Sequence, residues 1–267
     1  MRVRGTLVRQ GSQVAFGFKG GSDEGEAVNM PNWSCVLLSS SQLEQARRQA
    51  RTTMISTRDL SGLPDLRGFR RLTRALAMLD AVMSPEWEYR YYSFNSHWAD
   101  GEMMASMRNG SGDRWFALLC SAGVALHGLA HEAPIFRPGT PWPGIFESLP
   151  AEFHDNLLRE PAFTTEDSTF CIWRRSTDAQ WSCGPVDLPF VHDPDGSEAL
   201  LSILSGQLQH YVQFARDYYE VEIAPADVAA VYRHDPLTNA LVRRLNPGVD
   251  LESLAEDVNE IGYPEIG

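Results

Sequence analysis

Lysine is nearly missing from this chain of 267 residues: of its 23 basic residues only Lys19 is a lysine, and the rest are arginine. Lys19 lies among glycines in a stretch with little hydrophobic pattern. Schiff-base chemistry, a phosphate-binding loop lysine or a lysine general base would each depend on that one position. The composition therefore argues against lysine-dependent catalysis.

Cysteine is also scarce, and no two cysteines form a C-x-x-C pair. The first residues lack the apolar core of a cleavable secretion signal. We therefore expect a cytoplasmic protein whose thiols are free. The cysteines are Cys35, Cys120, Cys171 and Cys183.

Long apolar runs are missing as well. The uncharged run over residues 115–131 is short for a membrane span, which needs about 20 residues, and Gly123 and Gly128 interrupt it. We expect no membrane insertion. The run is better interpreted as two strands joined by a turn at 121–123.

Charge is distributed unevenly along the chain, which carries a net −12. Residues 1–74 hold 12 basic and 6 acidic residues, whereas the remainder holds 11 and 29, a net of −18. An acidic body repels phosphate backbones, so we expect no nucleic-acid partner. It would suit a basic protein partner, although ordinary solubility is the simpler explanation of the charge.

The first 65 residues differ from the rest in composition as well as in charge. They are rich in glycine, serine and glutamine, which predicts a basic, weakly ordered extension over 1–65 and a single α+β domain over 66–267. A short helix at 41–51 is one alternative. Translation that begins later, at Met54 or Met78, is another.

Four short strands with three turns are predicted after a helix. Apolar residues at three- and four-residue spacing indicate a helix from Leu66 to Met83, ended by Ser84 and Pro85. Segments rich in aromatic and branched residues follow, separated by Asp-Gly, Asn-Gly and Ser-Ala-Gly turns. This pattern is typical of an antiparallel meander with one face packed on helices.

A second hairpin is predicted from the near-palindrome C-I-W-R-R-S-T-D-A-Q-W-S-C at 171–183. Centring it on Thr177 makes the two tryptophans, and the two cysteines, cross-strand neighbours on one face. A Cys171–Cys183 disulfide is then conceivable, but the reducing compartment favours free thiols.

The remaining pattern is helical. One helix is predicted over 141–161 and several more follow residue 195, including one that starts at Asp235-Pro236 and one at Asp250. The fold class is therefore α+β: an antiparallel β-meander with an additional β-hairpin, packed by helices concentrated in the C-terminal third.

The glycine-rich loop at 109–113 and two histidines are the nearest approach to a catalytic motif. The loop lacks the lysine and hydroxyl of a phosphate loop, so we predict a hairpin turn. His127, His131 and Glu132 are candidate metal ligands, but "HGLAHE" is not H-E-x-x-H, and on a strand the two imidazoles lie about 13 Å apart. We interpret the histidines as structural or surface groups.

Aromatic and arginine side chains around the turns are the remaining functional signal. Tryptophan, tyrosine and arginine are the residues that binding hot spots favour. The candidate partner-binding residues are Trp98, Arg108, Asp113, Arg114 and Trp115.

Three motifs of the meander occur together: Y-Y-S-F-N at 91–95, M-A-S-M-R-N-G-S-G-D at 104–113 and G-L-A-H-E at 128–132. By these motifs the chain resembles, over residues 83–264, an uncharacterised family of bacterial proteins. The resemblance implies no activity and assigns no residue a role. Members are similar in size and shape to small α+β proteins encoded near secreted toxins, where immunity proteins occur.

These features favour a non-enzymatic bacterial binding protein of the cytoplasm with no cofactor. Its specific form would be an immunity protein that neutralises a basic toxin. Two alternatives stay open: a metal-dependent hydrolase using His127, His131 and a nearby carboxylate, and a structural or regulatory domain. The oligomeric state is open too.

Overall fold

The computed structural model describes residues 5–10, 13–18 and 54–264, and the chain divides into two units, Met1–Thr52 and Thr53–Gly267. In the first unit, strand β1 (Gly5–Gln10) pairs antiparallel with strand β2 (Gln13–Phe18). Lys19 and the helix considered at 41–51 lie outside the described residues.

Helix α1 runs over Leu66–Met83, as predicted. It begins where the Asp65 carboxylate accepts a hydrogen bond from the Gly68 amide at 2.7 Å, which satisfies one of the free amides of the first turn. It ends at Ser84, directly before Pro85. Residues before the helix belong to the same unit, because Ile55 and Leu63 are buried in its core.

Six strands of the second unit form one antiparallel sheet in the order β3-β4-β5-β6-β7-β8, with the meander as its first four strands. The α+β prediction is therefore confirmed. The strands are β3 (Tyr92–Ala99), β4 (Glu102–Arg108), β5 (Arg114–Cys120), β6 (Gly123–Leu129), β7 (Phe170–Arg175) and β8 (Ser182–Cys183).

The predicted register of the second hairpin is wrong by one residue. Trp173 pairs with Ser182 rather than with Trp181. A one-residue slip reverses the face of a side chain, so Trp181 packs on the α1 side while Trp173 packs on the other. Trp181 is held there because its indole donates to the Pro64 carbonyl at 2.7 Å and packs 5.1 Å from the ring of Phe69.

The thiols of Cys171 and Cys183 consequently belong to opposite faces of the sheet, and both are free. The short strand β8 places Cys183 opposite Ile172, which leaves Cys171 out of the cross-strand pair that we predicted. The register therefore removes the geometric basis for a disulfide between them.

Both faces of the sheet are covered. Helix α1 and the C-terminal helices pack on one face. The connection between β6 and β7 covers the other with Ile135, Ile145, Phe153, Leu157 and Phe163. Strand residues alternate between the two cores, so Trp115 and Phe116 bury opposite sides of β5.

The prediction of a helix over 141–161 is wrong. This segment contains only short helical turns at Ala151–Phe153, His154–Leu158 and Pro161–Phe163. Pro150 cannot donate a helical hydrogen bond, and Ser148 has a left-handed φ of 66°. The apolar residues Phe153 and Leu157 of this segment are instead buried against the sheet.

The C-terminal third is helical, as predicted. Helix α5 begins later than predicted, because the Thr238 side chain rather than Asp235 caps it, accepting from the Leu241 amide at 3.2 Å. Among the described residues, no helix is both long and apolar enough to cross a membrane. The helices are α2 (Ser197–Leu201), α3 (Leu208–Tyr218), α4 (Pro225–Tyr232), α5 (Asn239–Leu245) and α6 (Ala255–Ile261).

Candidate functional site

The glycine-rich loop at 109–113 is the turn between β4 and β5, as predicted. The Asn109 side-chain oxygen accepts hydrogen bonds from the amides of Ser111 at 2.9 Å and Asp113 at 3.0 Å. The Asn109 amide donates to the Asp113 carbonyl at 3.1 Å and closes the turn. The loop amides of Ser111 and Asp113 are thus satisfied within the turn, as hairpin geometry requires.

Asp113 also orients His131. Its Oδ1 accepts from the His131 amide at 2.9 Å and lies 2.7 Å from the imidazole Nδ1. A carboxylate on Nδ1 directs Nε2 outward, as in an acid–base dyad. The Glu132 carboxylate lies 3.9 Å from the His131 Nε2. Among the described residues, no hydroxyl or thiol forms a hydrogen bond with this nitrogen. The dyad therefore has no adjacent nucleophile in this part of the chain.

His127 is a core residue with different neighbours. Its Nδ1 lies 2.8 Å from the Ser168 hydroxyl, and its ring stacks on Phe116 with centroids 5.8 Å apart. Burial, assisted by the charge of Arg114, lowers the pKa of His127 to about 3, so the imidazole is neutral.

Within residues 54–264, no group of three or more histidine, cysteine or acidic side chains is arranged to hold a metal ion.

Arg114 and Trp115 point to opposite faces of β5. Arg114 donates to the Thr164 hydroxyl at 2.8 Å and lies 3.3 Å from the Asp167 carboxylate. These contacts join β5 to the connection between β6 and β7. Trp115 is 1% exposed and packs in the core beside Tyr92. Trp115 therefore has no exposed face for a partner.

Arg108 belongs to an exposed cluster of aromatic residues, and it is the one member of this cluster that the sequence analysis predicted. Its guanidinium lies 4.4 Å from the centre of the Trp87 ring, in cation–π geometry. Trp87 is 51% exposed, Tyr89 58% and Tyr218 39%. We call Trp87, Tyr89, Tyr91, Arg108 and Tyr218 the aromatic surface.

Four elements build the aromatic surface, and one of them is β4, which ends at Arg108. Trp87 and Tyr89 lie on a 3-10 turn that follows Pro85, Tyr91 precedes β3, and Tyr218 ends helix α3. The Tyr218 hydroxyl donates to the Tyr89 carbonyl at 3.2 Å, and the Tyr218 ring lies 4.2 Å from that of Tyr91. These contacts hold the Tyr91 and Tyr218 rings in place while leaving part of each exposed to solvent.

Acidic side chains flank the aromatic surface. They are exposed and lie next to its aromatic residues in sequence, so the rim of this surface carries negative charge. They are Glu86, Glu88 and Asp217.

Trp98 lies at the opposite end of β3. Its ring stacks on Phe163, with centroids 5.8 Å apart and an interplanar angle of 14°. It lines an open groove with four carboxylates and one arginine, which pairs with Asp155 at 3.1 Å. Two of the sequence candidates, Arg108 and Trp98, therefore lie at different ends of the β3–β4 pair. The charged groove residues are Asp100, Glu102, Asp155, Arg159 and Glu160.

Comparison with protein-family models, with curated proteins and with solved structures found no significant match to this chain. The resemblance to an uncharacterised bacterial family therefore stays a prediction.

Proposed function

We propose that this protein is a non-enzymatic binding protein of the bacterial cytoplasm whose partner is a basic protein docked on the aromatic surface. The observation that carries the proposal is the exposure of Trp87, Tyr89 and Tyr218, with the Trp87 ring packed against the Arg108 guanidinium. Tryptophan, tyrosine and arginine are the residues in which interface hot spots are richest.

The cluster is unusual for a surface that faces only water. Three of the six large hydrophobic side chains that are exposed in the described residues belong to it. Single exposed apolar residues need no explanation, whereas a contiguous group with fixed side chains favours an interaction site. Because Tyr91 packs on Tyr218 and Trp87 packs on Arg108, ordering these side chains on binding costs little conformational entropy.

The charge around the cluster supports a basic partner. Glu86, Glu88 and Asp217 flank it, and the chain from residue 75 onward carries 29 acidic against 11 basic residues. Complementary charge accelerates encounter and selects against acidic partners. A basic toxin that the protein neutralises is the specific partner that the family resemblance suggests.

We expect Trp87→Ala to weaken binding of the basic partner at least about tenfold, because hot-spot tryptophans contribute about 2 kcal/mol or more. The partner is captured at low salt from the native host, identified, and titrated by calorimetry against wild type and variant. Phe190→Ala is the matched control: Phe190 is a fully exposed aromatic residue outside the aromatic surface, and its loss should leave affinity within about threefold.

Three results would contradict the proposal: no saturable partner at low salt, an acidic partner, or a basic partner whose affinity is insensitive to Trp87→Ala. Stoichiometric zinc or manganese in the purified protein would instead favour the metal-dependent hydrolase with His127 and His131.

A further inference from the structure

We propose that a pocket beside strand β8 binds a small ligand that carries a primary ammonium group on a compact apolar body. The pocket has a volume of about 340 Å³, at the small end of the range for ligand sites. We call it the β8 pocket. It is separate from the aromatic surface and shares no residue with it.

The short length of β8 creates this space. Strand β8 pairs only with Ile172 and Trp173, so the start of β7 lines the pocket instead of carrying a paired strand. The segment that leaves β8 forms the opposite wall with Val186 and Leu188. Thr57, from the segment before α1, and Asp195, just before α2, close one end.

Asp195 supplies the charge that a ligand would meet. It is 3% exposed, and its Oδ1 accepts from the Ser197 amide at 3.0 Å and the Ser197 hydroxyl at 2.7 Å. Its Oδ2 accepts from the Thr57 hydroxyl. These three donors are all neutral, and a carboxylate offers roughly four acceptor positions, so one remains for a further donor.

The arginine that lines the pocket keeps its charge but directs its guanidinium to backbone carbonyls. Arg58 donates to the carbonyls of Pro189 at 3.0 Å and Val191 at 3.1 Å. Asp187, an exposed lining residue, adds a second negative charge. A buried carboxylate that meets only neutral donors is stabilised by an added cation, and both acids disfavour an anionic ligand.

The remaining walls accept an apolar group. Phe170 is buried, and Val186 and Leu188 are half-buried. Burial raises the pKa of the thiols of Cys171 and Cys183, so both are neutral and weakly polar. Beside the buried Asp195 carboxylate the pocket therefore offers an apolar wall, within a lining that also carries Arg58 and Asp187, and an arylalkylamine or alkylamine fits this arrangement.

The test uses benzylamine, benzyl alcohol and benzoate as probes of equal size on the full chain, with binding followed by NMR shifts and by calorimetry. We expect saturable binding of benzylamine, affinity for benzyl alcohol at least about tenfold lower, and no binding of benzoate. Equal binding of amine and alcohol, or no saturable binding of benzylamine, would overturn the proposal.

Variants locate the site. Asp195→Asn should weaken benzylamine binding at least about tenfold, whereas Asp187→Asn, which removes the exposed acid, should change it less than about threefold. If Asp195→Asn does not fold, Leu188→Trp fills the pocket and should abolish binding while the circular dichroism spectrum stays unchanged. Benzylamine bound with undiminished affinity by a folded Leu188→Trp protein would place the amine elsewhere and reject the site.

Discussion

Replacing Asp80 with alanine should lower the free energy of unfolding by about 3 kcal/mol at pH 7. Asp80 is fully buried in the last turn of α1. Its carboxylate accepts from the amides of Tyr91 at 2.9 Å and Tyr92 at 2.8 Å and from the Tyr211 hydroxyl at 2.8 Å. Alanine leaves all three donors unsatisfied, at about 1–3 kcal/mol each, which outweighs relief from burying the charge.

Asp80 should also make the free energy of unfolding fall as pH rises from 4 to about 6. Burial raises the pKa of Asp80 from 3.8 to about 6, against the opposing effect of its hydrogen bonds from Tyr92, Tyr211 and Tyr91. A folded-state pKa above the unfolded value stabilises the fold below pH 4, and this contribution is lost as pH rises to about 6. The shift corresponds to about 3 kcal/mol, so the cost of Asp80→Ala should be about 2–3 kcal/mol larger at pH 4 than at pH 7.

Asp80→Asn is the matched control. Its amide oxygen can accept from the two backbone amides and its NH₂ can donate to the Tyr211 oxygen, so it should cost less than alanine and show no Asp80-dependent slope. Urea unfolding of the three proteins between pH 4 and 7 gives the difference directly, since other carboxylates contribute equally to each. An unchanged difference between wild type and Asp80→Asn across that range would contradict the raised pKa.

The parts of the fold that could be predicted are those specified by neighbouring residues. The meander follows from Asp100-Gly101 and Asn109-Gly110 between apolar strands, and α1 from its apolar spacing with Asp65 before it. The second hairpin could not be placed, because its near-palindromic sequence fits two registers equally. A distant contact, from the Trp181 indole to Pro64, selects the observed one.

The candidate sites were harder to predict, because they depend on elements that meet only in the fold. Arg108 could be found beside its turn, but Trp87 lies on a 3-10 turn without periodicity, and Tyr218 is on a helix whose aromatic residues look like core. Trp115 is buried because alternate side chains of β5 face the core on the α1 side. The number of aromatic residues near a turn does not predict which of them is buried. The β8 pocket joins Thr57 to Asp195 across 138 positions, beyond any local pattern.

Gly123→Ala should be the second strongly destabilising change, with a loss of about 3–5 kcal/mol in the free energy of unfolding. Gly123 begins β6 with a φ of 143°, a region that side chains rarely adopt. An alanine Cβ would lie 2.2 Å from the Arg174 carbonyl oxygen and 2.8 Å from the Arg175 Cα. Because both atoms are backbone, the clash can be relieved only by moving β7 away from β6, which opens the centre of the sheet.

Gly101→Ala separates the two causes of the loss expected at Gly123, which are the positive φ and the clash with the backbone of β7. Gly101 lies in the β3–β4 turn with a φ of 72°, and a Cβ there would meet nothing within 4 Å. Gly101→Ala should therefore lower the free energy of unfolding only through the strain of a positive φ, by about 1–2 kcal/mol. Urea unfolding followed by circular dichroism measures both variants. If the two substitutions cost the same, the close approach of β7 to Gly123 does not constrain the sheet. A larger loss at Gly123 shows instead that glycine is required there because the backbone of the next strand occupies the space of a side chain.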